Sequence, residues 1–339
     1  MSETTNIGTS AIERVAAEIR GRDRFLLTAH EGPDGDALGS LLGMHRLLTQ
    51  LGKDSVMFLA AKEFPLPIEY RFLPLEEVFH EPPADMADRA IVFLDCGNID
   101  RMPVDFLSED GHFTINIDHH HDNTLFGDVN LVEIDASCTA EIVYELAILL
   151  GAEITPDIAA ALYVGLVTDT GRFQYRTTSP AALRLAARLV EAGADVHKVF
   201  ELVFETLPLG KMQLLGRVLE HMQSYEGGRL LVSYVTRDDL ALVEGDEATT
   251  EGLIDNLRAV DGVQVAALIR EQVPHPDGTI TPNRVSLRSR GSIDVSQIAR
   301  KSQGGGHKQA AGFSHPGSIE EIREFIVDEV VSQLAESAA

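Results

Sequence analysis

At 339 residues the chain is too long for one ordinary core and too short for three, so two domains of unequal size are expected. A formal net charge of -25 excludes a surface that coats long duplex nucleic acid, since such surfaces are basic and bind by releasing counterions; a small anion still binds where metals and a few Arg and Lys residues reverse the field locally. The opening residues carry no signal sequence, no run approaches a membrane span, and Cys96 and Cys138 lack the number and spacing of a disulfide framework or zinc ribbon, so a cytoplasmic protein with no membrane partner and two buried thiols is expected.

Residues 10–20 have helical apolar spacing behind a Ser cap, and 25–29 form a short apolar run that ends at His30. After a turn at 32–35, Leu38, Leu41, Leu42 and Leu48 make one stripe at helical spacing, closed by Gly52. Residues 55–59, 91–94 and 113–117 read as buried strands, mostly apolar rather than alternating, with helical segments between several of them. Such a series argues for an α/β domain with a largely parallel sheet covered on both faces, in which ligands sit beyond the carboxyl ends of the strands.

From 138 to 220 the pattern is helical, with segments at 139–150, 156–168, 181–191 and 210–222. A smaller α/β unit with a mixed sheet follows, with strands near 229–235, 263–269 and 284–288 and helices near 250–260 and 319–334. The expected division is a first domain at 1–190, a helical connector at 191–225 and a second domain at 226–339.

Polar residues collect where the first strands end. In His30-Glu-Gly-Pro-Asp34-Gly-Asp36 two glycines and a proline force a tight turn, and imidazole plus carboxylates suits Mn²⁺ or a similar divalent ion. The plainer reading is that Asp34 and Asp36 make a turn and cap a helix. Asp95 ends the apolar run of FLDCGN, and Asp118-His119-His120-His121 follows FTINI, where adjacent histidines favour a metal or anion site. Asp169, in TDTG at the end of an apolar helix, opposes the helix dipole and destabilises it unless a cation neutralises the charge.

In this order HEGPDGD, the strand-end Asp, DHH and the helix-end Asp resemble the DHH phosphoesterase superfamily across nearly the whole N-terminal half. The resemblance implies two divalent ions, Mn²⁺ before Mg²⁺ or Co²⁺, held by His30, Asp34, Asp36, Asp95, His119 and Asp169, with Asp95 as the bridge. His120 would face the substrate phosphate, as an acid or a charge stabiliser, with Asp118 orienting a histidine from behind. A bridged pair of ions about 3.5–4 Å apart suits in-line displacement at phosphorus.

The segment SLRSRGSIDVSQIARKSQGGGHKQAAGF looks like the DHH-associated domain of the first subfamily, whose GGGH motif implies a glycine loop that approaches phosphate. Arg288, Gly304, Gly305, Gly306 and His307 match its substrate-binding positions, and Arg101 is a further candidate just beyond Asp95. The length and layout are similar to members that hydrolyse both short oligoribonucleotides and 3′-phosphoadenosine 5′-phosphate (pAp), with the active site in a cleft between domains. Cyclic di-AMP or its linear product pApA is the alternative substrate within the family. A nucleotide-binding regulator that does not cut is the alternative outside it, and a homodimer is a family-based expectation.

Overall fold

The computed structural model describes residues 10–102, 105–108, 111–272 and 281–336. The chain divides into two compact units, Met1–Thr206 and Leu207–Ala339.

The first unit runs α1 (Ala11–Gly21), β1 (Arg24–Ala29), α2 (Gly35–Gln50), β2 (Asp54–Met57), β3 (Ala90–Leu94), β4 (Thr114–Asp118), β5 (Val129–Val132), α3 (Thr139–Leu150), α4 (Pro156–Asp169), α5 (Pro180–Glu191) and α6 (Val196–Phe200). A capping box opens α1: the Ser10 hydroxyl accepts from the Glu13 N–H while the Glu13 carboxylate accepts from the Ser10 N–H. The five strands are all parallel in the order β2-β1-β3-β4-β5. The order reverses between β1 and β3, and at such a switch point the loops leave in opposite directions and open a crevice. His30 follows β1 and Asp95 follows β3 at that crevice.

The sheet is covered on both faces by different material. Phe25, Leu27, Val92, Leu94, Ile115 and Ile117 join the core built by α1 to α4, whereas Leu26, Ile91 and Phe93 face a smaller cluster with Phe58, Met86 and Leu107. The helices expected between strands reduce, after β2 and after β3, to 3₁₀ turns among the described residues. Between β2 and β3 the reason is local: Pro65, Pro67, Pro74, Pro82 and Pro83 remove the N–H groups that a helix needs.

Helix α2 is buried along most of its length and meets α4 almost backbone to backbone. A Cβ at Gly39 would stand 2.4 Å from the Ala161 carbonyl oxygen, and one at Gly165 would stand 2.7 Å from Asp36 Oδ1. Backbone cannot yield as a side chain can, so Gly39→Ala is expected to destabilise by about 1–3 kcal/mol through overpacking. A urea titration checks this as a lower midpoint with an unchanged slope.

The second unit runs α7 (Leu209–Glu220), β6 (Gln223–Tyr225), β7 (Leu230–Val235), α8 (Arg237–Leu242), α9 (Leu253–Arg258), β8 (Val265–Arg270), β9 (Asn283–Ser289), α10 (Val295–Lys301), β10 (Gly305–His307), β11 (Ala310–His315) and α11 (Ile319–Glu336). Its six-stranded sheet has the order β10-β11-β9-β8-β7-β6, with β7 and β8 parallel and the other neighbours antiparallel. One face packs Val265, Ile269, Val285 and Leu287 against α10 and α11. On the other, Leu231, Ala266 and Leu268 pack on Leu214 and Val218 of α7 and Leu257 of α9. Among the described residues no helix is long and apolar enough to cross a membrane.

Candidate metal centre

Asp95 leaves β3 with φ 59°, a left-handed conformation uncommon for a residue with a side chain and often found at functional sites. Its side chain is held at the floor of the crevice, 2% exposed. Oδ2 lies 3.5 Å from His30 Nε2, while Oδ1 lies 3.6 Å from His119 Nε2 and 3.6 Å from His120 Nδ1. One carboxylate therefore faces two separate sets of histidines. His30 Nδ1 is 2.8 Å from the Glu31 carbonyl, which only accepts, so Nδ1 carries a proton and Nε2 is the ring nitrogen turned toward Asp95.

Three groups of donor atoms, each within 4.8 Å of one another, gather here: His30, Asp34 and Asp95; Asp36, His119 and Asp169; and Asp95, His119 and His120. Asp34 is also the N-cap of α2, accepting from the Asp36 and Ala37 N–H groups, so the plain capping reading and membership of a donor group hold together. Asp169 is the last residue of α4, where its charge opposes the dipole, and its Oδ2 is 3.5 Å from His119 Nε2.

The start of α3 orients the carboxylates. The Thr139 and Ala140 N–H groups donate to Asp36 Oδ2 and Oδ1 at 2.6 and 3.0 Å, and the Thr139 hydroxyl donates to Asp95 Oδ1 at 3.0 Å. Sequence reasoning located this helix but missed its role, because a capping pattern says where a helix starts and not which distant carboxylate its free N–H groups meet. Asn123 was also missed: its amide donates to Asp118 Oδ2 at 2.6 Å, while His120 Nδ1 binds Asp118 Oδ1 at 2.7 Å.

The electrostatics follow from burial against partners. Burial, and then the Asp95 charge, push the Asp36 carboxyl up to about 7. Burial, and then Asp36, hold Asp169 well above the usual carboxylate range. Burial also works against ionised Asp95, but the hydrogen bond and charge of His30, with His120 and His119, hold it well below that range. Burial opposes a charged His119, yet Asp169, Asp36 and Asp95 push it up to about 9. For His120 burial is likewise overcome, here by the Asp118 hydrogen bond and the Asp95 charge, which raise it.

Divalent cations fit this arrangement. Among the described residues the ion pairs of Asp95 and Asp169 are all with histidines, none with Lys or Arg. Ionised Asp34, Asp36, Asp95 and Asp169 would bring four negative charges into one crevice, which two divalent cations balance.

The remaining expected residues lie in or near loops. Arg101 ends a 3₁₀ turn and His307 ends β10, and the side chains of both fall outside the described ones. His121 is exposed and Cys96 buried. Arg288 sits half-buried on β9, opposite Ala266 of β8 and Ala310 of β11. Within the GGGH loop the glycines differ: a Cβ at Gly304 would meet the Gly312 carbonyl at 2.2 Å and one at Gly306 the Ala310 carbonyl at 2.5 Å, whereas at Gly305 it would meet nothing within 4 Å. Two of the three glycines thus serve the sheet. Gly304→Ala and Gly306→Ala are expected to lower the thermal midpoint, and Gly305→Ala to leave it unchanged, as scanning calorimetry would register.

Residues 24–166 match the DHH family, N-terminal domain, and residues 227–336 match the DHHA1 domain. The chain belongs to the DHH family. Over 91% of its length it is 33% identical to the bifunctional oligoribonuclease and PAP phosphatase NrnA of Thermus thermophilus, covering 89% of that protein. The Bacillus subtilis protein of the same name is 28% identical over 86% of the chain and 89% of its own length. Among solved structures, an exopolyphosphatase-related protein from Bacteroides fragilis has a TM-score of 0.83 at 22% identity, covering 93% of this DHH chain and 94% of its own, a likeness of fold.

Proposed function

We propose that this chain is a two-metal phosphoesterase of the cytoplasm that hydrolyses short oligoribonucleotides to mononucleotides and pAp to AMP and phosphate. Asp95, with one oxygen toward His30 and the other toward His119, carries the reading, since a carboxylate so placed is suited to join two cations. His30 and Asp34 would hold one ion and Asp36, His119 and Asp169 the other, and imidazole mixed with carboxylate favours Mn²⁺. When bound, the ions supply a nucleophile at neutral pH and charge neutralisation on the phosphate.

The protein's own groups do the rest. Burial works against ionised Asp118, but its hydrogen bond and charge with His120, and then Asn123, keep its carboxyl below the usual carboxylate range. The ionised Asp118 takes the His120 Nδ1–H and so directs the second ring nitrogen, Nε2, to the substrate. The same partners raise the His120 pKa and so favour the form that can hand the Nε2 proton to the leaving oxygen. Within the second unit Arg288, Gly305 and His307 are proposed to bind substrate, and Arg101 is proposed separately as a substrate contact of the first unit.

Two variants probe this division of labour. Asp118→Asn is expected to slow turnover by about 10–100-fold. It should also move the alkaline limb of the rate profile to lower pH, because His120 loses the partner that holds its proton. Thr139→Val should weaken metal binding by about tenfold or more while Thr139→Ser restores it, as a Mn²⁺ titration would record.

The direct test strips the protein with chelator, restores Mn²⁺, and follows a two- to five-residue RNA, pAp, pApA and cyclic di-AMP by ion-exchange chromatography. Turnover of RNA and pAp that depends on the metal is expected. Cleavage of neither would overturn the reading, and a clear preference for cyclic di-AMP would replace the substrate while keeping the chemistry.

A further inference from the structure

Strand β4 reads Thr114-Ile115-Asn116-Ile117-Asp118 and is buried without a break from Ile115 onward. An amide inside such a run is unfavourable on two counts: Asn is a poor strand former, and a polar group taken out of water needs partners. Asn116 is 0% exposed and stands beside Phe93 of β3. Its Nδ2 donates to the Cys96 carbonyl at 3.0 Å, while its Oδ1 meets no donor among the described residues. The partner fixes this orientation, since a carbonyl only accepts and turning the amide over would set two oxygens together. The sheet therefore carries a half-satisfied amide that an apolar residue would relieve.

What the amide holds is the turn after Asp95. Strand β4 grips the main chain on both sides of that left-handed residue, whose φ is 59°. The Asp95 N–H donates to the Ile117 carbonyl at 3.0 Å, and one residue further on the Cys96 carbonyl accepts from Asn116. Asn123 donates to the same Cys96 carbonyl at 3.2 Å, and the Thr124 N–H donates to the Gly97 carbonyl at 2.9 Å. Gly97 in turn lies against His120, where an added Cβ would stand 3.4 Å from the His120 Cβ. The aim of the Asp95 carboxylate between His30 and His119 thus depends on a main chain pinned from β4. Thr139 and Asn123 also bond carboxylates of the centre directly, whereas the described hydrogen bond of Asn116 reaches only the backbone of the turn.

We propose that Asn116 is a positioning residue for Asp95, kept in the sheet although an apolar side chain would suit the strand better. It holds the left-handed turn in place so that Asp95 presents its two oxygens in fixed directions to the cations. The inference rests on the proposed two-metal reading and extends it to a residue outside the donor set. Its consequence has two opposite signs. Removing the amide relieves an unpartnered oxygen in the metal-free fold, and the Cys96 carbonyl keeps Asn123, so the sheet loses little; the metal-bound form loses the fixed direction of its shared carboxylate.

The test uses the full chain, stripped with chelator, and compares wild type with Asn116→Val, Asn116→Ala and a control, Thr28→Val. Thr28 of β1 is also fully buried beside Phe93, and its hydroxyl likewise has no partner among the described residues, but it makes no bond to the turn. Titration with Mn²⁺ by calorimetry should show at least one site weakened about tenfold or more in both Asn116 variants, the loss expected when a group that orients a ligand is removed. The metal-free thermal midpoint of Asn116→Val should stay at or above that of wild type. At saturating Mn²⁺, kcat for pAp should fall about tenfold while KM holds, because no substrate contact is touched. Thr28→Val should leave Mn²⁺ affinity unchanged. Unchanged Mn²⁺ affinity in the Asn116 variants overturns the role whatever the midpoint does, and so does equal weakening in Thr28→Val, which is the signature of general repacking. If one Asn116 variant does not fold, the other decides; failure of both overturns the inference, since the amide would then be needed by the fold itself. A wild type that binds Mn²⁺ but cleaves neither RNA nor pAp removes the hydrolase reading alone, and the titration still decides the role of Asn116. A wild type that binds no Mn²⁺ removes both.

Discussion

Asp95→Asn is expected to reduce hydrolysis of both RNA and pAp by well over 100-fold while leaving the fold intact. Removing a residue that only orients a ligand lowers affinity or rate by about 10–100-fold, so losing a carboxylate that faces both donor sets exceeds that range. Asn also tolerates the left-handed backbone at this position, where φ is 59°. The variant therefore separates chemistry from folding. Steady-state release of phosphate from pAp is the measurement, and a variant with a tenth or more of wild-type activity would contradict the bridging role.

The second large effect is thermal and needs no substrate. In chelator-treated protein the centre is a set of buried carboxylates that repel, and a divalent ion at 100 times its dissociation constant adds about 2.7 kcal/mol per site. For a unit of about 200 residues this is a rise of roughly 5–10 °C in the first unit's midpoint, with the second unit unmoved. The pH dependence has a definite sign. The folded-state pKa of Asp36, about 7, lies above its ordinary value of 3.8, so the folded state holds more protons and stability falls as pH rises from 4 to 7. His119, at about 9 against 6.5, contributes stability that is complete below 6.5 and lost as pH rises to 9. Metal-free protein should therefore melt lower at pH 9 than at pH 5, and saturating Mn²⁺ should flatten the slope because binding expels those protons. A midpoint that rises across this range without metal would contradict the charge arrangement.

Much of this centre was legible because its residues sit where chain geometry forces them. Apolar runs announce β1, β3 and β4, and in a doubly wound sheet the residues just past the carboxyl end of each parallel strand land at one edge. His30, Asp95 and the Asp118 to His120 run could be placed together on that ground alone, and Asp169 by the cost of its position on α4. The contacts from Thr139 and Asn123 could not, since they join segments whose meeting is set by tertiary packing. In the second unit β10 and β11 were missed because GGGHKQAAGF lacks the β-branched residues that mark strands. β11 exists through pairing with β9, whose own alternation was visible, and β10 through pairing with β11. The 3₁₀ turns between β2 and β3 come from prolines present in the sequence but underweighted against an expectation of α/β regularity.

The near contact of α2 with α4 carries an implication for engineering ion preference. Asp36 and Asp169 belong to different helices whose separation is gauged by main-chain atoms at Gly39 and Gly165, not by the reach of adjustable side chains. Swapping ligands would leave that calliper untouched. A centre retuned for a cation of larger radius calls for redesigning the crossing itself, with compensating changes on both helices at once.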